Sequence, residues 1–216
     1  ILDNGDLKCW GYDYYGQLGM GTAGPSSWIQ TMPPGFAINL GTGRTAVAVD
    51  AGHDHACAIL DNGDLKCWGS DNFGKTGNGG SGVFSIDAPP STAINLGTGR
   101  TAVTVSAGES HTCAILDNGD LKCWGRDNYG QLGNGGTNTG NNAPPSTAIN
   151  LGTGRTAVAV STGESHTCAI LDNGDLKCWG RNNHGQLGMD PPPSNGYLNA
   201  PSSTAINLGS GRTAVA

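Results

Sequence analysis

The undecapeptide ILDNGDLKCWG occurs four times, beginning at Ile1, Ile59, Ile115 and Ile170. Spacings of 58, 56 and 55 residues describe an array of one unit, each copy burying apolar surface against its neighbours. The copies are close: Ala93–Gly133 and Ala148–Gly188, aligned without gaps, differ only at positions 104, 107, 127 and 129 of the former. Variation collects between the loop after each CWG and the next copy, in GMGTAGPSSWIQTMPPGF, NGGSGVFSIDAPPST and MDPPPSNGYLNAPSS. A constant frame with drifting loops is the pattern of a scaffold that presents variable surface. Near-copies of one unit also argue against a single asymmetric catalytic site.

Composition narrows the class. With 37 Gly, 11 Pro, 36% hydrophobic and 13% charged residues, the chain reads as many short strands joined by turns. No window sustains a 3.6-residue apolar period or 18 apolar residues, so neither long helices nor a membrane span is expected. A net charge of -6 disfavours phosphate backbones, and nucleic acid is not expected as a partner.

Each repeat offers four strand candidates: RTAVAV from Arg44, HACAIL from His55, LKCWG from Leu65 and STAINL from Ser91. Ala58 and Leu60 face one way and Cys57 and Ile59 the other, so both faces are apolar, as a sheet sandwiched between two others requires. The expected fold is all-β, a β-propeller of four-stranded antiparallel blades. It forms a single domain over 1–216, with a partial blade over 1–40, blades over 41–96, 97–151 and 152–208, and a further blade starting at 209–216.

The Asp-Asn-Gly turn allows two hairpins. A two-residue type I′ loop on Asn62 and Gly63 sets Asp61 against Asp64 and Cys57 against Trp68. A type I turn with Gly63 as a left-handed bulge pairs Leu60 with Asp64, Ile59 with Leu65 and Cys57 with Cys67. This second register avoids facing like charges and places the cysteines at a non-hydrogen-bonded pair, within disulfide reach. Disulfides Cys57–Cys67, Cys113–Cys123 and Cys168–Cys178 are therefore expected. The competing reading is reduced cysteines used as small buried hydrophobes; ten-residue separations do not match zinc ligation. Disulfides imply an oxidising compartment, hence an extracellular or cell-surface location. No Asn-x-Ser/Thr sequon is present to support it. Cys9 is the equivalent of Cys67, with its partner position before Ile1, and Ala216 matches Ala159; the chain is expected to be a stretch of a longer array.

The run AVTVSAGESHTCAILDNGDLKCWGRDNYGQLGNG, residues 102–135, resembles the repeat of the regulator of chromosome condensation (RCC1) family. The resemblance rests on Val-x-Val-x-x-Gly, Ser-His-Thr, Trp-Gly and Gly-Gln-Leu-Gly. It implies a propeller, most often seven-bladed, with its first strands lining a central axis. The second repeat departs from it with Gly-Lys-Thr-Gly at 74–77 and with Ala56 where Thr is usual. One family member exchanges nucleotide on a small GTPase through an inserted wedge, and nothing here matches that wedge. A plant photoreceptor member carries Gly-Trp-Arg-His-Thr where this chain has Gly108-Glu109-Ser110-His111-Thr112, so Trp68, Trp124 and Trp179 are read as interblade packing.

Other candidates fare less well. Leu65 and Lys66 occupy positions where a calcium loop after Asp61-Asn62-Gly63-Asp64 needs oxygens. His55, His111 and His166 open equivalent strands and are expected to bond a neighbouring blade's backbone. Glu109 and Glu164 have no nearby nucleophile. No catalytic, cofactor or metal site is expected. Three functions remain: a non-enzymatic extracellular structural or surface-assembly protein binding other proteins or copies of itself, a glycan- or ligand-binding module, and an intracellular nucleotide exchange factor. Candidate contact residues lie in the variable loops: Tyr12, Tyr14, Tyr15, Trp28, Phe36 and Tyr197.

Overall fold

Six-residue runs that are apolar on both faces, bounded by turn residues, produce the inner strands of the computed structural model, which describes residues 1–21, 29–80, 84–190 and 192–215. A two-stranded sheet pairs β1 (Gly11–Tyr12) with β2 (Ile29–Gln30). Three four-stranded antiparallel sheets follow. The first runs β3 (Ala46–Ala51), β4 (His55–Leu60), β5 (Leu65–Ser70), β6 (Ser85–Ile86). The second runs β7 (Ala102–Ala107), β8 (His111–Leu116), β9 (Leu121–Asp127), β10 (Asn138–Asn141), and the third β11 (Ala157–Thr162), β12 (His166–Leu171), β13 (Leu176–Arg181), β14 (Tyr197–Leu198). Among the first strands, β7 lies between β3 and β11 and touches both. Asp50 Oδ2 accepts from Ala107 N at 2.7 Å, and Ser106 Oγ from Thr162 N at 3.0 Å. This is the blade order of a propeller.

The Asp-Asn-Gly turn takes the bulged form. Leu60 N donates to Asp64 O at 2.9 Å and Gly63 N to Leu60 O at 2.8 Å, with Gly63 at φ 81°. Asn62 locks the turn, its Oδ1 accepting from Asp64 N at 3.1 Å and its Nδ2 donating to Asp64 Oδ2 at 2.9 Å. Cys57 then faces Cys67, and disulfides join Cys57–Cys67, Cys113–Cys123 and Cys168–Cys178 across Cα separations of 4.1, 4.1 and 4.0 Å. Asp61 turns toward the first strand, pairing with Arg44 at 3.3 Å, as Asp117 does with Arg100 and Asp172 with Arg155.

The expected fourth strand is corrected. STAINL is not a strand; the variable loop supplies it instead, as β6, β10 and β14. Ile94 N still donates to Leu65 O at 2.8 Å, and Ile94 and Leu96 are buried in the core. That segment is the connector between blades. Its last carbonyl receives the lysine of the next LKCWG: Lys66 Nζ donates to Leu40 O at 2.9 Å, Lys122 to Leu96 O at 3.0 Å and Lys177 to Leu151 O at 2.9 Å. Buried amines so placed keep a partner.

The tryptophans seal the blade junctions. Trp68, Trp124 and Trp179 are fully buried, and their Nε1 groups donate to Gln17 O, Lys75 O and Gln131 O of the preceding loop at 3.0, 3.1 and 3.0 Å. Gly133, at φ 69°, lies flat on the Trp179 indole, where a Cβ would fall 2.6 Å from Nε1. Gly133→Ala is expected to cost about 2–4 kcal/mol through overpacking and left-handed strain, read as a lowered urea midpoint with unchanged m-value. Opening the Cys113–Cys123 bridge by a double Cys→Ala change is expected to cost about 2–3 kcal/mol on the chain-entropy estimate for a short loop, measured the same way.

Candidate functional site

The end of the sheets opposite the Asp-Asn-Gly turns carries the loop that follows each CWG. Four equivalent ring positions occupy it, Tyr15, Phe73, Tyr129 and His184. Three residues earlier stand Tyr12, Ser70, Arg126 and Arg181. Adjacent blades bring the two sets together. Arg126 lies 4.8 Å over the Phe73 ring and Arg181 5.1 Å over Tyr129. The amides of Asn128 and Asn183 accept from the Arg126 and Arg181 Nε groups at 3.1 and 3.2 Å and hold the guanidinium planes. At the first junction, where Ser70 supplies no cation, Tyr15 packs on Phe84 at 5.3 Å and on Tyr14 at 4.8 Å, and Tyr14 on Tyr12 at 6.3 Å.

The loops are set by a glutamine. Gln17, Gln131 and Gln186 Oε1 accept from the backbone N of Tyr15, Tyr129 and His184, each at 2.9 Å. Lys75 replaces that glutamine in the second repeat and has no acceptor to offer. Phe73 there adopts φ 66°, the one positive φ outside glycine among the described residues. Lys75 is buried; its Nζ donates to Glu109 O at 3.2 Å. Burial pulls its pKa down, against the raising pull of Asp54, Glu109 and Asp71.

Beneath this surface runs a histidine–threonine relay. His55 Nε2 lies 2.7 Å from Thr112 Oγ1 and His111 Nε2 2.8 Å from Thr167 Oγ1. The threonine protons are already committed, to Lys75 O at 2.7 Å and Gln131 O at 2.9 Å. The histidines are therefore the donors, carrying their proton on Nε2 and leaving Nδ1 bare and buried. The expected histidine–backbone bond is thus corrected: a threonine of the next blade stands between ring and carbonyl. Burial pushes both histidines down to about 3, helped by Lys75 beside His55 and by His166 beside His111. Among the described residues no three His, Cys, Asp or Glu side chains gather to hold a metal, and no helix is long and apolar enough to cross a membrane.

Of the candidate contact residues, Tyr12, Tyr14 and Tyr15 join one aromatic cluster. Phe36 stands exposed on the connector before Ile38, Tyr197 is half-buried in β14, and Trp28 lies outside the described residues. The role of Arg126 and Arg181 was not legible beforehand. Its only sequence signal is that an arginine follows CWG in the two repeats whose preceding loop ends in Phe73 or Tyr129.

The regulator of chromosome condensation (RCC1) repeat matches residues 46–75, 102–131 and 157–186, and a second model of that repeat matches 118–170. The chain belongs to the RCC1 repeat family. It is 30% identical over 188 residues to the E3 ubiquitin-protein ligase HERC2 of Homo sapiens, covering 87% of this chain and 4% of that protein. It is 31% identical over 189 residues to the ultraviolet-B receptor UVR8 of Arabidopsis thaliana, covering 88% and 40%. Among solved structures, Prp20p from Saccharomyces cerevisiae superposes with a TM-score of 0.76 at 20% identity over 96% of this chain and 47% of that one. Human WBSCR16 superposes at 0.79, also 20% identical, over 96% and 50%. This RCC1-repeat chain thus spans at most half the length of each of these four proteins.

The relay makes the stability of these repeats pH-dependent. With folded pKa values near 3 against 6.5 in the open chain, His55 and His111 bind more protons unfolded, so stability falls as pH drops through that window. Asp127 opposes them. Burial pushes its carboxyl from 3.8 up to about 6, so the folded chain holds that proton more tightly and its contribution falls as pH rises from 3.8 to about 6. Asn182 is its uncharged counterpart, accepting from Leu187 N at 2.9 Å as Asp127 does from Leu132 N at 3.0 Å. Asp127→Asn is expected to raise stability at pH 7 and to match wild type near pH 4, read from guanidinium unfolding across that range.

Proposed function

We propose that this chain is a non-enzymatic protein-docking module, presenting the loop end of an RCC1-type propeller to a partner protein in an oxidising compartment, secreted or at the cell surface. The observation that carries this reading is the row of rings at the loop end of all four repeats, with arginines stacked on them at two of the junctions. Aromatic residues and arginine concentrate binding energy at protein interfaces. Phe73 is 50% exposed, Phe84 57% and Tyr12 51%, on a frame fixed by disulfides and buried tryptophans. A rigid platform loses little entropy on binding. Three internal disulfides support the compartment. Prp20p, which shares the fold, binds Gsp1p and histones, a precedent for protein partners.

A photo-crosslinking residue placed at Tyr129 or, as the opposite-end control, at Asn118 tests the reading. Discrete adducts with one partner protein are expected from Tyr129 alone. Equal labelling from both ends, or adducts with polysaccharide only, would overturn it. Mass spectrometry after alkylation is expected to find Cys57, Cys67, Cys113, Cys123, Cys168 and Cys178 protected until reduction; ready alkylation of these thiols in protein from its native source would remove the compartment.

A further inference from the structure

The four repeats are near-copies, yet one junction combines three features that no other described junction brings together. Phe73 holds a left-handed backbone with its ring half exposed. Strain of this kind on a bulky residue persists where the surroundings enforce it and collects at functional positions. Arg126 is stacked over that ring and held through Nε and Nη2 by Asn128 at 3.1 and 2.9 Å. Third, Arg126 lacks the carboxylate its counterpart has. Arg44, Arg100, Arg155 and Arg181 each have a carboxylate within 3.2 to 3.3 Å; among the described residues Arg126 has none.

Lys75 connects these differences. In the fourth blade Glu164 pairs with Arg181 at 3.3 Å, and the loop of the blade before it carries a neutral Gln131. Between the second and third, the residue matching Gln131 is Lys75, seated against Glu109 O at 3.2 Å and attracted to the Glu109 carboxylate. Glu109, the counterpart of Glu164, makes no ion pair with Arg126 among the described residues, and its charge adds to the pull of Asp54 on the buried amine. The same substitution removes the acceptor that holds Tyr15, Tyr129 and His184, and so turns Phe73 outward.

We propose that the Phe73–Arg126 junction is a specific receptor for an acidic peptide segment of a partner protein, one with an apolar side chain next to a carboxylate. The apolar group covers Phe73, and the carboxylate meets the guanidinium edge left open by Asn128. Stacking has already fixed the guanidinium plane, so little side-chain freedom is lost. The proposal rests on the protein-docking reading above and narrows it to one of the blade junctions.

The test uses the whole chain and two peptides, acetyl-Gly-Glu-Phe-Glu-Gly-amide and its Gln counterpart, titrated by nuclear magnetic resonance. Saturable shifts are expected at the Arg126 Nε–H and the Phe73 amide, with the Gln peptide weaker by about tenfold, or about 1.4 kcal/mol. Arg126→Gln should lose about tenfold, and Arg126→Lys a comparable amount because a lysine keeps the charge but not the planar fork. Lys75→Gln, which restores the acceptor that holds the other rings and so relaxes Phe73, should also weaken binding, while Arg181→Gln should leave it unchanged. Equal affinity for the two peptides, or wild-type binding by Arg126→Gln, overturns the inference. Binding lost in Tyr15→Ala but kept in Arg126→Gln overturns it while keeping the docking face; failure of the crosslinking experiment overturns the reading beneath both.

Discussion

One backbone carbonyl per junction holds neighbouring blades together. Lys75 O accepts from both the Trp124 indole and the Thr112 hydroxyl, and Gln131 O from both Trp179 and Thr167. Each carbonyl belongs to the loop of one blade and both its donors to the next. The histidine of the first blade then closes the circuit by donating to the same threonine. Each buried carbonyl meets two donors and the ring behind them is neutral, so the relay itself adds no charge to the low-dielectric seam. Gln17 O receives Trp68 but no threonine, because Ala56 stands where the later repeats have Thr112 and Thr167. That junction accordingly lacks the relay.

The arrangement explains why the constant residues are constant. Asp61 satisfies the first strand, Asn62 the turn, Gly63 the approach of the next blade's Thr101, Lys66 the connector carbonyl and Trp68 the preceding loop. Within one undecapeptide nearly every polar side chain is committed, to the turn, to the first strand, to the connector or to the preceding blade. Few positions remain free to vary except those facing solvent at the loop end, and there the repeats do diverge.

The hairpin and its cysteine register were legible because local sterics decide them: a bulged turn at Asp61-Asn62-Gly63 leaves one pairing that separates the carboxylates of Asp61 and Asp64. Tryptophan packing was legible because a large apolar ring beside glycine has few other uses. The fourth strand was not. STAINL alternates because Ile94 and Leu96 must face the core, but its backbone bonds the blade chiefly through Ile94 N, whereas β6 and β14 are two-residue pairings inside polar loops with no periodic signal. The partners of His55 and Arg126 were hidden for another reason: Thr112 is 57 residues away and Phe73 is 53, distances that only the blade period brings together.

Gly-Lys-Thr-Gly at 74–77 shows how much a seam tolerates. Gly74 and Gly77 remain, since Asn142 and Trp124 press on them, while the two residues between them change from the pattern of the other repeats. Thr76 compensates for the lost leucine by donating to Asp71 Oδ1 at 2.6 Å, beside its own backbone N at 3.1 Å. Because each blade touches only its neighbours, such an edit stays where it is made. A chain assembled from near-identical units can in this way acquire a single distinguishable address, and move or duplicate it, without retuning the rest of the array.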